Sequence, residues 1–72
     1  MTYAVVIERG ASSYGASVPD LPGCIAVAST REEVERLIEE AIALHVAGMR
    51  EDGLPVPPAR TEIALIDVQF EP

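Results

Sequence analysis

The chain has 72 residues and a net charge of −7 at pH 7, with five arginines and no lysine. A charge of this sign repels phosphate backbones, so we expect no direct nucleic-acid binding, and the lack of lysine excludes Schiff-base and P-loop chemistry. A domain this small buries only about 60% of the surface that its unfolded chain exposes. Because Cys24 is the only cysteine, an intrachain disulfide and a multi-cysteine metal site are excluded, and we expect self-association to stabilise the fold.

Three strands are predicted in the first 28 residues. Tyr3 to Arg9 is apolar and β-branched in its middle, which is typical of a buried strand. Residues 10–13 are small and predict a hairpin into a second strand, Tyr14 to Val18. The sequence Pro-Asp-Leu-Pro-Gly at 19–23 predicts a rigid corner, because proline fixes φ and glycine accepts a positive φ. Cys24 to Ala28 is the third predicted strand.

A single long helix is predicted from Arg31 to about Asp52. Thr30 and Glu33 have the spacing of a capping box, and Gly53 followed by prolines is typical of a helix end. At about 100° per residue, one arc of the helix is almost free of charge and is predicted to lie on a sheet. That arc contains Val34, Leu37, Ile38, Ala41, Ile42, Leu44, His45, Gly48 and Met49.

A fourth strand is predicted from Thr61 to Phe70, and the resulting fold class is α+β. Three strands joined by short turns form an antiparallel meander, and a strand–helix–strand crossover favours a parallel return beside the first strand. The predicted sheet order is therefore 3-2-1-4, a mixed sheet with the helix on one face. The opposite face is expected to stay partly wet unless another subunit covers it.

Three blocks of this sequence resemble the HicB-like antitoxin family: residues 14–24, 29–33 and 44–57. The resemblance covers nearly the whole chain and implies one HicB-like domain over residues 1–72. It further implies a β-β-β-α-β partial RNase H-like fold that sequesters a small basic HicA-like toxin, an mRNA-cleaving ribonuclease. Members commonly associate as dimers or tetramers. Many also carry a carboxy-terminal DNA-binding segment, and we expect none here because the sequence stops directly after the fourth predicted strand.

The candidate partner-binding residues are acidic or lie at the rigid corner: Asp20, Leu21, Glu32, Glu35 and Glu39. A basic partner would be steered towards such carboxylates by complementary charge. Such glutamates usually form a solvated helix face, and a turn aspartate more often holds its own turn through a hydrogen bond than faces a partner. The alternative function is a stand-alone, self-associating structural or regulatory adaptor with no toxin partner.

No catalytic, cofactor-binding or metal-binding residues are predicted. A nuclease site would need carboxylates that converge on two metal ions, for which Glu8, one of Glu39 or Glu40, and Asp67 could be proposed. The helical members lie outside the sheet-facing arc, so we expect no enzyme. His45 is interpreted as a core or interface residue. The first residues lack a basic leader and a long apolar run, which favours a cytoplasmic protein with no membrane segment.

Overall fold

Three short antiparallel strands and one long helix form the regular structure of residues 1–70, the part of the chain that this computed structural model describes. The strands are β1 (Val6–Arg9), β2 (Tyr14–Ser17) and β3 (Ile25–Ala28), and the helix is α1 (Arg31–Glu51). The strand order is β1-β2-β3, with both pairs antiparallel. The predicted α+β class and its order of three strands before one helix are confirmed.

The two faces of the sheet differ in burial because side chains alternate along each strand. Ile7, Ala16 and Ala26 are cross-strand neighbours, and their face carries the core against α1. On the opposite face, Ile25 and Val27 are 66% and 64% exposed. The helix therefore covers one face only, and the other presents apolar side chains to solvent.

The corner between β2 and β3 folds a leucine into the centre of the core. Three backbone hydrogen bonds close it: Val18 N–H to the Cys24 carbonyl, Leu21 N–H to the Val18 carbonyl, and Cys24 N–H to the Leu21 carbonyl. Gly23 has φ +85°, a conformation that residues with a Cβ rarely adopt. Leu21 and Val34 are the largest side chains with no exposed surface. Burial of side chains of this size contributes about 1.5–3 kcal/mol each.

The ends of α1 lie where the sequence predicts them. The Thr30 hydroxyl accepts a hydrogen bond from the Glu33 N–H at 3.1 Å. At the other end, Gly53 has φ +68°, and its N–H donates to the Arg50 carbonyl. The Leu54 N–H donates to the Met49 carbonyl at 2.8 Å, which completes a Schellman-type end. Within residues 1–70, no helix combines the length and the apolar character that a bilayer crossing requires.

The buried face of α1 is rotated relative to the predicted arc. Val34, Ile38 and Val46 are its buried residues, although Val46 lies outside the predicted arc. Leu44, which the arc included, is 74% exposed. The centre of the buried face lies towards Ile38, about 40° from the position that the arc assigns to Val34. The helix packs on β3 and β2, and this placement turns Leu44 away from the sheet.

The predicted fourth strand is absent from the described residues. After α1 the chain returns past the amino-terminal segment, where the Tyr3 hydroxyl donates to the Pro57 carbonyl at 2.6 Å. Residues 61–70 then have no regular secondary structure, and all of them are exposed. No backbone hydrogen bond joins them to β1 within residues 1–70. Of the predicted sheet order 3-2-1-4, the structure therefore contains only the part formed by β3, β2 and β1.

Replacing the helix N-cap tests the capping contribution. We expect Thr30→Ala to lower the free energy of unfolding by about 1 kcal/mol, because the Glu33 N–H loses its acceptor. Urea titration followed by circular dichroism measures this loss. The control is Ser29→Ala at the neighbouring exposed position. An equal loss in both variants would contradict the assignment of the cap to Thr30.

Candidate partner-binding surface

Three glutamates form a stripe along one side of α1. Glu32, Glu35 and Glu39 are spaced by three and four residues, so successive members are neighbours on the helix surface, and all three are exposed. The salt bridge within residues 1–70 joins Arg36 to Glu40 at 3.7 Å, outside this stripe. The charge of the stripe is therefore not neutralised by an ion pair in the described part of the chain.

A groove runs beside the acidic stripe, between α1 and the amino-terminal segment that leads into β1. The helix packs on β3 and β2 and makes no comparable contact with β1. The helix-facing side of the first strand is consequently left open, with a groove volume of about 470 Å³. Its apolar lining is Tyr3, Val5, Ile7, Ile38 and Ile42, and Met1, Arg31, Glu35 and Glu39 complete it.

Asp20 binds the segment that follows the prolines. Its Oδ2 accepts hydrogen bonds from the Arg60 and Thr61 N–H groups, each at 2.9 Å. Its Oδ1 accepts one from the Thr61 hydroxyl at 2.8 Å. The Thr61 N–H, helped by the Thr61 hydroxyl and the Arg60 N–H, holds the pKa of this carboxyl below its ordinary value of 3.8. Asp20 thus fixes the point from which residues 61–70 leave the folded body.

The predicted site residues fall into three groups in the structure. Glu32, Glu35 and Glu39 lie together on one exposed surface. Asp20 lies at the corner, and its carboxylate is engaged by residues 60 and 61. Leu21 has no exposed surface, so its side chain belongs to the core and is not part of the surface that a partner would meet.

The remaining candidate residues have structural surroundings. Burial raises the pKa of the Cys24 thiol, which favours the uncharged form, as expected of an unreactive core cysteine. His45 is partly buried on α1. Glu8 belongs to the sheet face that points away from α1, so it does not converge with Glu39. Among residues 1–70, no group of three or more histidine, cysteine, aspartate or glutamate side chains is arranged to hold a metal ion.

Sequence reasoning missed both the Asp20 contacts and the groove. Asp20 bonds to residues 40 and 41 positions away, and no local pattern signals a contact at that separation. The groove depends on how far α1 extends over the sheet, which the helical periodicity does not determine. The acidic stripe, in contrast, follows directly from the spacing of the glutamates.

Comparisons with known proteins give consistent matches. The family described as "HicB_like antitoxin of bacterial toxin-antitoxin system" matches residues 3–71. A protein of Haemophilus phage HP1, described as an uncharacterized 14.9 kDa protein in the rep-hol intergenic region, is 40% identical over 57 residues. That match covers 79% of this chain and 43% of the phage protein, so the chain spans less than half of that relative.

Two further matches cover more of their counterparts. A UPF0150 protein of Helicobacter pylori is 35% identical over 71 residues, which are 97% of this chain and 99% of that protein. A chain of a solved structure described as "HicA3 and HicB3 toxin-antitoxin complex" has a TM-score of 0.70 and 27% identity. The match covers 82% of this chain and 70% of that chain.

Removing the Asp20 carboxylate should release the segment that it holds. We expect the Arg60 and Thr61 amides of Asp20→Ala to lose protection from hydrogen exchange, because their acceptor is gone. Two-dimensional NMR of the exchanging amides measures this change. Asp67→Ala is the control, since it removes a carboxylate from an exposed position in the same segment. Unchanged protection in Asp20→Ala would contradict the anchoring role.

Acidification should release the same contact without a mutation. The pKa of Asp20 in the folded chain lies below 3.8, so the contact stabilises the fold fully above pH 3.8. The stabilisation is lost as the pH falls below 3.8 and through the lowered pKa. The Thr61 amide proton should therefore shift with a midpoint below 3.8 in an NMR titration. A midpoint above 3.8 would contradict the hydrogen-bonded arrangement.

Proposed function

Because the chain belongs to the HicB-like antitoxin family of bacterial toxin–antitoxin systems, we propose that it binds and neutralises a small basic toxin of the HicA type. The observation that carries this proposal is the likeness to a chain in a HicA3 and HicB3 complex. In this proposal the chain is a binding module and not an enzyme. It inhibits an mRNA-cleaving toxin by covering its active site, and it acts in the cytoplasm, where the toxin meets mRNA.

Electrostatics supports a basic partner. The net charge of −7 produces an attractive field for a cationic protein and accelerates the encounter. The stripe of Glu32, Glu35 and Glu39 then offers three exposed carboxylates without intrachain cation partners in residues 1–70. Arginine and lysine side chains of a toxin would pair with them at the interface. Exposed ion pairs contribute about 0.2–1 kcal/mol each, so the stripe gives orientation and rate more than affinity.

Co-expression with the neighbouring gene product tests the proposal. A toxin partner would be encoded by a short, basic reading frame beside this gene, and its expression alone should arrest growth. Co-expression of this chain should restore growth, and the two proteins should co-purify. A neighbour that is harmless, or that does not co-purify, would refute the antitoxin proposal and favour the adaptor.

Neutralising the stripe should weaken toxin binding. We expect the triple variant Glu32→Gln, Glu35→Gln, Glu39→Gln to raise the dissociation constant about tenfold, mainly through a slower association rate. Surface plasmon resonance at two salt concentrations measures both rates. The salt dependence of association should also become weaker in this variant.

The matched control removes the same charge elsewhere. Glu8, Glu51 and Asp52 are exposed and lie off the stripe, so their replacement by the corresponding amides changes the net charge equally. We expect this control to slow association only slightly. An equal effect in the two triple variants would show that overall charge acts alone and would refute the role of the stripe.

A further inference from the structure

We propose that two copies of this chain exchange residues 61–70, each segment adding a fourth strand to the β1 edge of the other copy. We call these residues the exchange segment. Each chain carries both the segment that is donated and the β1 edge that receives it. In the single subunit, neither of the two is paired with a strand. The inference concerns the chain without a toxin and does not depend on the proposed function.

The exchange segment has the composition of a buried strand in a fully exposed position. Ile66 is 78% exposed, Val68 59% and Phe70 86%. Leu65 is 96% exposed and Ile63 69%. Soluble monomers rarely expose this many large apolar side chains in one continuous stretch, and such stretches mark interaction sites.

From Ala64 onward, alternation within the exchange segment defines one uncharged face, and Glu62 precedes that face on the same side. In a strand, Ala64, Ile66, Val68 and Phe70 would lie on one side. The other side would carry Ile63 and Leu65 together with Asp67 and Gln69. The first side suits a dry contact with a core, and the second suits the half-exposed outer face of the sheet.

The acceptor is the outer edge of β1 with the groove beside it. Within residues 1–70, β1 pairs with β2 only, so its second edge has no strand neighbour. An open edge is a template for another strand. The groove of about 470 Å³ lies on the helix-facing side of this edge, and Val5, Ile7 and Ile42 are among its apolar lining residues. An added strand would therefore gain both backbone hydrogen bonds and an apolar contact.

The path of the chain favours a second copy over folding back. Asp20 holds Arg60 and Thr61 at the corner, and the exchange segment then leaves the body. The radius of gyration is 14.8 Å, whereas a compact chain of this length has one of about 11 Å. The longest dimension, 54 Å, is twice the next, 27 Å. A projecting segment of this kind reaches a neighbouring molecule.

Twofold symmetry closes the arrangement. If one copy donates its exchange segment to a second, the same operation places the second copy's segment on the first. The same contact then covers the β1 edges and the exchange segments of both copies. An unrelated partner bound at the β1 edge would leave the exchange segment of this chain exposed.

Isolated protein without toxin provides the test. Light scattering coupled to size exclusion should give twice the subunit mass of 7.7 kDa at micromolar concentration. Hydrogen exchange should show protected amides in residues 62–70, and this protection should disappear on dilution. A monomer, or a dimer with unprotected amides in these residues, would overturn the proposal. Protection that appears only after a basic toxin is added would overturn it too.

Two substitutions at adjacent positions sharpen the test. Ile66→Asp places a carboxylate on the face that enters the groove, so we expect the dimer dissociation constant to rise at least about a hundredfold. Leu65→Asp adds the same charge to the outer face, and the dimer should persist. Both side chains are largely exposed in the single subunit, so circular dichroism should show intact α1 in both variants. Equal dimer dissociation constants for the two variants would contradict the proposed strand exchange.

Discussion

The corner at residues 19–23 is the constraint on which the rest of the structure depends. It buries Leu21 completely in the core, and the residue beside it, Asp20, binds the chain 40 residues later. One tight turn therefore positions the β2–β3 pair and also the start of the exchange segment. If the corner opened, the core would lose its central leucine and residues 60 and 61 would lose their attachment together.

A sheet covered on one face leaves this chain with unsatisfied surface in three places: the outer face with Ile25 and Val27, the open edge of β1, and the exchange segment. The core of residues 1–70 contains eight buried residues, which is small, and a 72-residue chain has little apolar area to bury by itself. In the two proposals, the acidic stripe and the β1 edge act by different physics, since charge attracts a partner over a distance and a strand edge acts only on close contact.

Local signals in the sequence predicted most of the fold. Thr30, Gly53 and the corner each act within a few residues, so their effects on the backbone are readable from neighbouring residues. The stripe of glutamates was predictable for the same reason. The rotation of α1, which buries Val46 and exposes Leu44, was not, because it depends on how the whole helix sits on β2 and β3.

The fourth strand shows the other limit of sequence reasoning. Alternation between Ile63 and Phe70 indicates that these residues favour a strand, but a strand also needs a neighbour, and the pattern does not say which molecule provides it. The Asp20 contact with Thr61 escaped prediction because it joins distant parts of the chain. The same limit applies to Leu21, which was predicted to contact a partner. Its burial depends on the closed corner and not on the residue type.

The buried thiol of Cys24 gives the corner a chemical reporter. Cys24 is the only sulfhydryl in the chain, it is 3% exposed, and its backbone closes the corner by bonding to Val18 and Leu21. A thiol-specific reagent reaches the sulfur only when this region opens, so the rate of labelling measures the opening equilibrium. Because the chain has no second cysteine, the labelling rate reports only the opening of this region. A ligand or second copy that stabilises the closed corner would slow labelling in proportion to the decrease in the opening equilibrium constant.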